Sequence, residues 1–211
     1  MFMRHFAAGM LLCCLATASL AQQANPNKWY VDLGVGESTL DHEPGFTDID
    51  DKSTSYSFRV GYKFARFFAL EAGYVDVGDF SSTVVPTCSG NGPCPPTIYE
   101  KSSLDAFLLN SRFIWPIANH FQLNASLGAL YYQHDTWVGV DPDDLSRGSF
   151  ENGSFSYGVG IAVPVNDRFE IGLDYSQYFD LGVDFNFFNQ NPSIESDTDA
   201  RVITLDLRFR F

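Results

Sequence analysis

The sequence predicts an all-β fold: an eight-stranded antiparallel up-and-down transmembrane β-barrel. Three observations carry that expectation. Bulky apolar residues alternate with small or polar ones through eight stretches of the chain, the mark of strands with two unlike faces. The connections between those stretches switch regularly between short turns and long polar segments, as in barrels that cross an outer membrane. After residue 21 no apolar run approaches the roughly 20 residues that a spanning helix needs. A membrane crossing therefore requires strands closed into a ring, because lipid offers no partner to an open sheet edge.

The first strand covers Lys28 to Leu40, with Trp29, Val31, Leu33 and Val35 on one face and Tyr30, Asp32, Gly34 and Gly36 on the other. The second, about Thr54 to Phe64, sets Tyr56, Phe58, Val60, Tyr62 and Phe64 against Ser57, Arg59, Gly61 and Lys63. The third, about Phe67 to Phe80, sets Phe68, Leu70, Ala72 and Tyr74 against Ala69, Glu71 and Gly73. The fourth, about Ser103 to Trp115, sets Phe107, Leu109, Phe113 and Trp115 against Leu108, Asn110 and Arg112. The fifth, Phe121 to His134, sets Phe121, Leu123, Ala125, Leu127 and Ala129 against Gln122, Asn124, Ser126 and Gly128. The sixth, about Gly153 to Val165, sets Phe155, Tyr157, Val159, Ile161 and Val163 against Ser156, Gly158, Gly160 and Ala162. The seventh, Phe169 to Tyr178, sets Phe169, Ile171, Leu173 and Tyr175 against Glu170, Gly172, Asp174 and Ser176. The eighth, about Ala200 to Phe211, sets Ile203, Leu205, Leu207, Phe209 and Phe211 against Thr204, Asp206, Arg208 and Arg210.

Ala65-Arg66, Pro116 to His120 and Asn166 to Arg168 read as short turns, and residues 41–53, 81–102, 135–152 and 179–199 as long polar loops. Turns in the periplasm and loops outside are the expected arrangement, with both termini periplasmic.

A soluble barrel such as a lipocalin would also alternate. Residue size separates the two. The polar faces hold Gly34, Gly36, Gly61, Gly73, Gly128, Gly158, Gly160 and Gly172, small enough for a crowded lumen. The apolar faces hold Phe, Tyr, Leu and Trp, which would overfill an eight-stranded interior. Trp29, Phe64, Phe67, Trp115, Phe121, Phe169 and Phe211 gather beside the short turns, as an interfacial girdle does.

Residues 1–21 read as a signal peptide. Arg4 and His5 precede the apolar run Phe6 to Leu15, and Ser19-Leu20-Ala21 places cleavage between Ala21 and Gln22. The run is too short for a membrane anchor. Cys13 and Cys14 follow Leu11 and Leu12, which lack the small side chains of a lipoprotein signal. Residues 22–211 then form one barrel domain. Cys88 and Cys94 enclose Ser-Gly-Asn-Gly-Pro and read as a disulfide closing a loop in an oxidising compartment; a metal site there lacks further ligands. The net charge of -13 argues against nucleic acid as a partner, and none is expected.

The run Leu205, Leu207, Phe209, Phe211 resembles the last strand of bacterial outer-membrane proteins, which ends in Phe and is recognised by the barrel-assembly machinery. YSFRVGYKF and ALEAGYVDVGDF resemble the small barrels related to the OmpA transmembrane domain and to OmpX-like proteins. That resemblance implies the outer membrane of a Gram-negative bacterium. It also implies membrane lipid, lipopolysaccharide and the assembly machinery as partners, and no cofactor. An OmpA-type peptidoglycan-binding domain is not expected.

The inward faces carry Asp32, Glu71, Glu170, Asp174 and Asp206 against Arg59, Lys63, Arg112, Arg208 and Arg210. Unpaired charges in a narrow interior are costly, so these ten are expected to form an ion-pair network closing the lumen. A structural or interaction role follows, with an unidentified ligand at the acidic loops; a small channel is the alternative. A hydrolase is the third reading. Asp41-His42 and His134-Asp135 near the rim resemble the carboxylate-histidine pairs of omptin proteases, which have ten strands and a longer chain; ordinary loop residues are the plainer account, and no enzyme is expected. The acidic segment Asp141-Pro-Asp-Asp lacks the glycine and distal Glu of an EF-hand loop. Phe185, Phe187 and Phe188 stand out in the fourth loop.

Overall fold

A computed structural model describes residues 28–41, 48–84, 96–118, 120–179, 181, 183–184, 195–196 and 199–211. The proposed signal peptide and its Ala21-Gln22 junction, Cys88, Cys94, His42 and the loop phenylalanines lie outside the described residues.

Long strands make up the barrel: β1 (Trp29–Asp41), β2 (Lys52–Ala65), β3 (Phe68–Val84), β4 (Ile98–Ala118), β5 (Phe121–Asp141), β6 (Asp144–Pro164), β7 (Phe169–Tyr178) and β8 (Asp199–Arg210). Each pairs antiparallel with its sequence neighbours. β1 pairs with β8 from Tyr30–Arg210 to Asp41–Asp199 and closes the ring. Tight connections join β2 to β3, β4 to β5 and β6 to β7. In the last of these the Asn166 side-chain oxygen accepts hydrogen bonds from the backbone N–H of Arg168 (2.8 Å) and Phe169 (2.9 Å), an Asx turn.

The outer surface carries an apolar belt. Leu33, Phe58, Leu109, Leu127, Val159, Leu173 and Leu205 are all exposed. From Leu123 to Tyr131 the strand covers about 27 Å, or roughly 20 Å along the axis at a tilt near 40°. Aromatic contacts tighten its short-turn edge: Trp29 lies edge-on to Tyr62 at 4.8 Å, and Phe169 against Phe209 at 5.0 Å. The opposite edge has a girdle of its own, made of tyrosines. Tyr74 donates to Asp105 (3.2 Å), Tyr157 to Gln177 (2.9 Å), and Tyr131 to Glu151. A phenol puts its ring in the apolar layer and its hydroxyl in the wet one.

Two expectations need correction. Residues 135–152 are not a loop: β5 runs to Asp141, β6 starts at Asp144, and Trp137 sits opposite Lys101 and Arg147 in register. Thr136, Trp137, Val138 and Val140 have the β-branched and aromatic side chains that sustain a strand. The predicted 81–102 loop is likewise trimmed at both ends, because β3 continues to Val84 and β4 resumes at Ile98. These hairpins project past the tyrosine girdle, and Asp48–Asp50 adds a short strand against β3.

The interior has two layers. Toward the hairpins it is apolar: Leu40, Val75, Phe80, Leu104, Leu130, Tyr132 and Val202 are buried together. Phe80 joins them because of a bulge. The pairing of Asp76 with Asp105 is followed by Gly78 with Leu104, leaving Val77 as the extra residue. Gly78 has φ +113°, a left-handed conformation that favours glycine. The inside-outside phase flips there, so Asp79 faces out and Phe80 in. The other layer, toward the short turns, is charged.

At the seam, Gly36 lies against β8. A Cβ added there would stand 1.8 Å from the Ile203 carbonyl oxygen and 2.7 Å from the Thr204 Cα, both backbone atoms. Gly36→Ala is therefore expected to cost about 1–3 kcal/mol by overpacking. Gly153→Ala, whose Cβ would meet nothing nearer than 3.8 Å, is the matched control. Urea unfolding of both variants, read by the mobility difference between boiled and unboiled protein, checks this; equal midpoints would refute it.

Candidate functional site

The charged layer is assembled one strand at a time. Each of its members sits on the inward face that alternation assigns to it: Asp32 on β1, Arg59 on β2, Glu71 on β3, Arg112 on β4, Glu170 and Asp174 on β7, and Asp206, Arg208 and Arg210 on β8. Asp32 lies opposite Arg59 across one seam and Arg208 across the other. Asp32, Glu71, Arg112 and Glu170 are 0–1% exposed.

The contacts form one connected web. Arg59 Nη2 lies 2.9 Å from Asp206, 3.3 Å from Asp32 and 3.5 Å from Asp174. The Arg112 Nε stands 2.7 Å from Glu71, and its Nη2 donates to Asp174 at 2.9 Å. Arg208 bridges Asp32 and Glu170, and Arg210 pairs with the second oxygen of Glu170. Tyr30 ties the web to the barrel wall. Its hydroxyl donates to Glu71 at 2.7 Å, and the Arg208 guanidinium lies 4.8 Å from its ring centroid. Lys63, the tenth expected member, makes no ion pair with another described residue.

The missing signal for this site lies in the glycines. A Cβ on Gly34 would stand 2.3 Å from Asp206, one on Gly61 2.1 Å from the Tyr30 ring, and one on Gly160 1.7 Å from Asp174. Each glycine leaves the volume that a neighbouring strand's long polar side chain fills. Only strand register reveals that matching. Tyr30 joins the web although the sequence marks it only as a polar-face residue.

Closed β-barrel topology, an apolar outer belt, two aromatic girdles and a charged interior are thus combined in one chain. The family profile described as the outer membrane protein beta-barrel domain matches residues 7–211. The chain belongs to this family of outer-membrane β-barrel proteins. Among solved structures, neisserial surface protein A matches with a TM-score of 0.55 at 11% identity, covering 87% of this chain and 97% of that one. The Ail attachment protein of Yersinia pestis, solved with the heparin analogue sucrose octasulfate, gives a TM-score of 0.49 at 12% identity over 87% and 99% of the two chains. OprG of Pseudomonas aeruginosa gives 0.49 at 15% identity over 88% and 97%. No curated protein matches the chain by sequence at a significant level. At these identities the likeness is one of fold.

The rim histidine of this outer-membrane barrel is not where a catalytic pair needs it. His134 is on β5, 7% exposed, opposite Leu104 and Phe150. It is an interior strand residue and not a loop residue. Asp135 faces out and pairs with Arg147 at 2.9 Å. Adjacent strand residues point to opposite faces, so His134 and Asp135 cannot act as a dyad. The described residues hold no cluster of three or more His, Cys, Asp or Glu that suits a metal ion.

Proposed function

We propose that this protein is a structural and interaction barrel of the outer membrane. Its ion-pair layer shuts the lumen. Its short turns and both termini face the periplasm, and its hairpins and acidic loops form the surface that meets partners. It is not an enzyme. The observation that carries this reading is the density of the interior. Four arginines and five carboxylates cross-link the cross-section within 4 Å of one another. The gap beside Arg112, Asn124 and Asp174 has no volume for a water molecule. The apolar layer above it, from Leu104 to Val202, adds a second barrier to ions.

Planar-bilayer recording from pure protein is the test. The expected trace shows no steady unit conductance; reproducible steady channels would favour a pore and defeat the closed-lumen reading.

A further inference from the structure

We propose that the outer face of the projecting sheet holds a saccharide site centred on Trp137 and Lys101. Its occupant is the phosphorylated core oligosaccharide of a lipopolysaccharide molecule in the same leaflet. The proposal rests on the orientation proposed above, with the hairpins outside the cell.

Strand register builds the site. Ser81 lies opposite Lys101, Lys101 opposite Trp137, and Trp137 opposite Arg147. Residues directly opposite share a face, so these side chains stand in one row across β3 to β6. The Arg147 guanidinium packs 5.5 Å from the Trp137 ring centroid. Beside the ring lies an open groove of about 350 Å³; Asp79, Ser81, Lys101 and Trp137 border it on the outer face, and the inward-facing residues Phe80 and Ser102 complete its lining. That is the small end of the range for ligand sites, roughly 300–1,000 Å³.

The charges on this face are unevenly committed. Asp135 is held by the Ser149 hydroxyl and by Arg147, which keep its carboxyl below the usual carboxylate range. Glu151 accepts from the Tyr131 hydroxyl. Lys101 is exposed and makes no ion pair or hydrogen bond with a described residue. The face therefore offers an ammonium with no ion pair among the described residues, an aromatic ring, a carboxylate and a hydroxyl around one groove. The electron-rich ring face suits the C–H face of a sugar. The ammonium suits a phosphate as a point charge. Asp79 and Ser81 suit sugar hydroxyls.

Position selects the source. Trp137 lies beyond Tyr131 on the same face of β5. The offset is about 20 Å along the strand, or roughly 15 Å along the axis at the usual tilt. The row faces sideways from the barrel rather than away from the membrane. At that height and direction the neighbouring matter is the head-group and core-sugar layer of the outer leaflet.

The test uses purified mature protein in detergent, titrated calorimetrically. The probes are deacylated phosphorylated core oligosaccharide, its dephosphorylated form, and inorganic phosphate. Saturable binding of the phosphorylated form is expected. It should weaken at least tenfold in Trp137→Ala, in Lys101→Gln and on dephosphorylation, while Arg66→Gln, at the other end of the barrel, leaves it unchanged. Retained heat-modifiable mobility shows that each variant is folded. No saturable binding, equal binding by the variants, or equal binding of inorganic phosphate overturns the site. An epitope inserted between Pro142 and Asp143 and stained on intact cells reports the orientation separately. Staining without oligosaccharide binding defeats the site alone; binding without staining defeats the orientation and with it the leaflet source.

Discussion

Arg112→Ala is expected to lower the stability of the barrel by about 3–5 kcal/mol, the cost of leaving buried charges without their partner. Arg112 is 1% exposed and stands between Glu71 at 2.7 Å and Asp174 at 2.9 Å. Alanine removes the cation and leaves both carboxylates inside. Glu71 keeps the Tyr30 hydroxyl and Arg208 at 3.9 Å, and Asp174 keeps a contact with Arg59 at 3.5 Å and the Asp206 carboxyl. Neither replaces a guanidinium fork. Lys63→Met is the contrasting variant, because Lys63 makes no ion pair with a described residue; its midpoint should stay close to wild type. Urea titration read by gel mobility of unboiled samples measures both. A third variant separates charge from packing. Arg112→Met combined with Glu71→Gln and Asp174→Asn keeps most of the volume and removes the stranded charges, so it should recover much of the loss. An Arg112→Ala protein as stable as wild type would show that the web is solvated and carries little of the fold's stability.

The barrel was legible because its signal is repeated. Every strand has the same period of two, so one ambiguous position such as Leu108 is overruled by its neighbours; it is buried, with Phe107 and Leu109 exposed on either side. The faces of the charged residues followed from that period as well. Their partners did not. Arg59 and Asp206 are 147 positions apart and meet only through ring closure and stagger. Local pattern also failed at the bulge. Val77 is one extra residue with no compositional warning beyond Gly78, yet it turns Phe80 from the outer face to the inner. The hairpin misread at 135–152 has a different cause. Gly148, Ser149, Asn152 and Gly153 are turn-forming residues by composition, but across from β5 they sit in register as ladder partners. Pairing with a strong strand overrode their own preference.

The outer face invites the second large effect. Leu127→Arg should destabilise the protein by about 2–4 kcal/mol in a bilayer, the cost of a cation near the midplane of a lipid-facing strand. Leu127 is 52% exposed and lies between Ser111 and Tyr157 in the ladder, with Leu123 and Tyr131 marking the two edges of the belt on its own strand. An arginine there is too far from either edge to reach water without thinning the membrane. Gln133→Arg, on the same face beyond the girdle, should cost almost nothing. The pair is decisive because a barrel whose outer face met water predicts no difference between the two variants. If that outer face met water, an arginine at 127 would be an ordinary surface substitution within about 0.5 kcal/mol of neutral. Refolding into lipid vesicles, with urea midpoints compared for the two variants, therefore tests the membrane assignment of the belt itself. Equal midpoints would mean that the leucines and phenylalanines of the belt do not face lipid, and the small, glycine-lined faces would need another explanation.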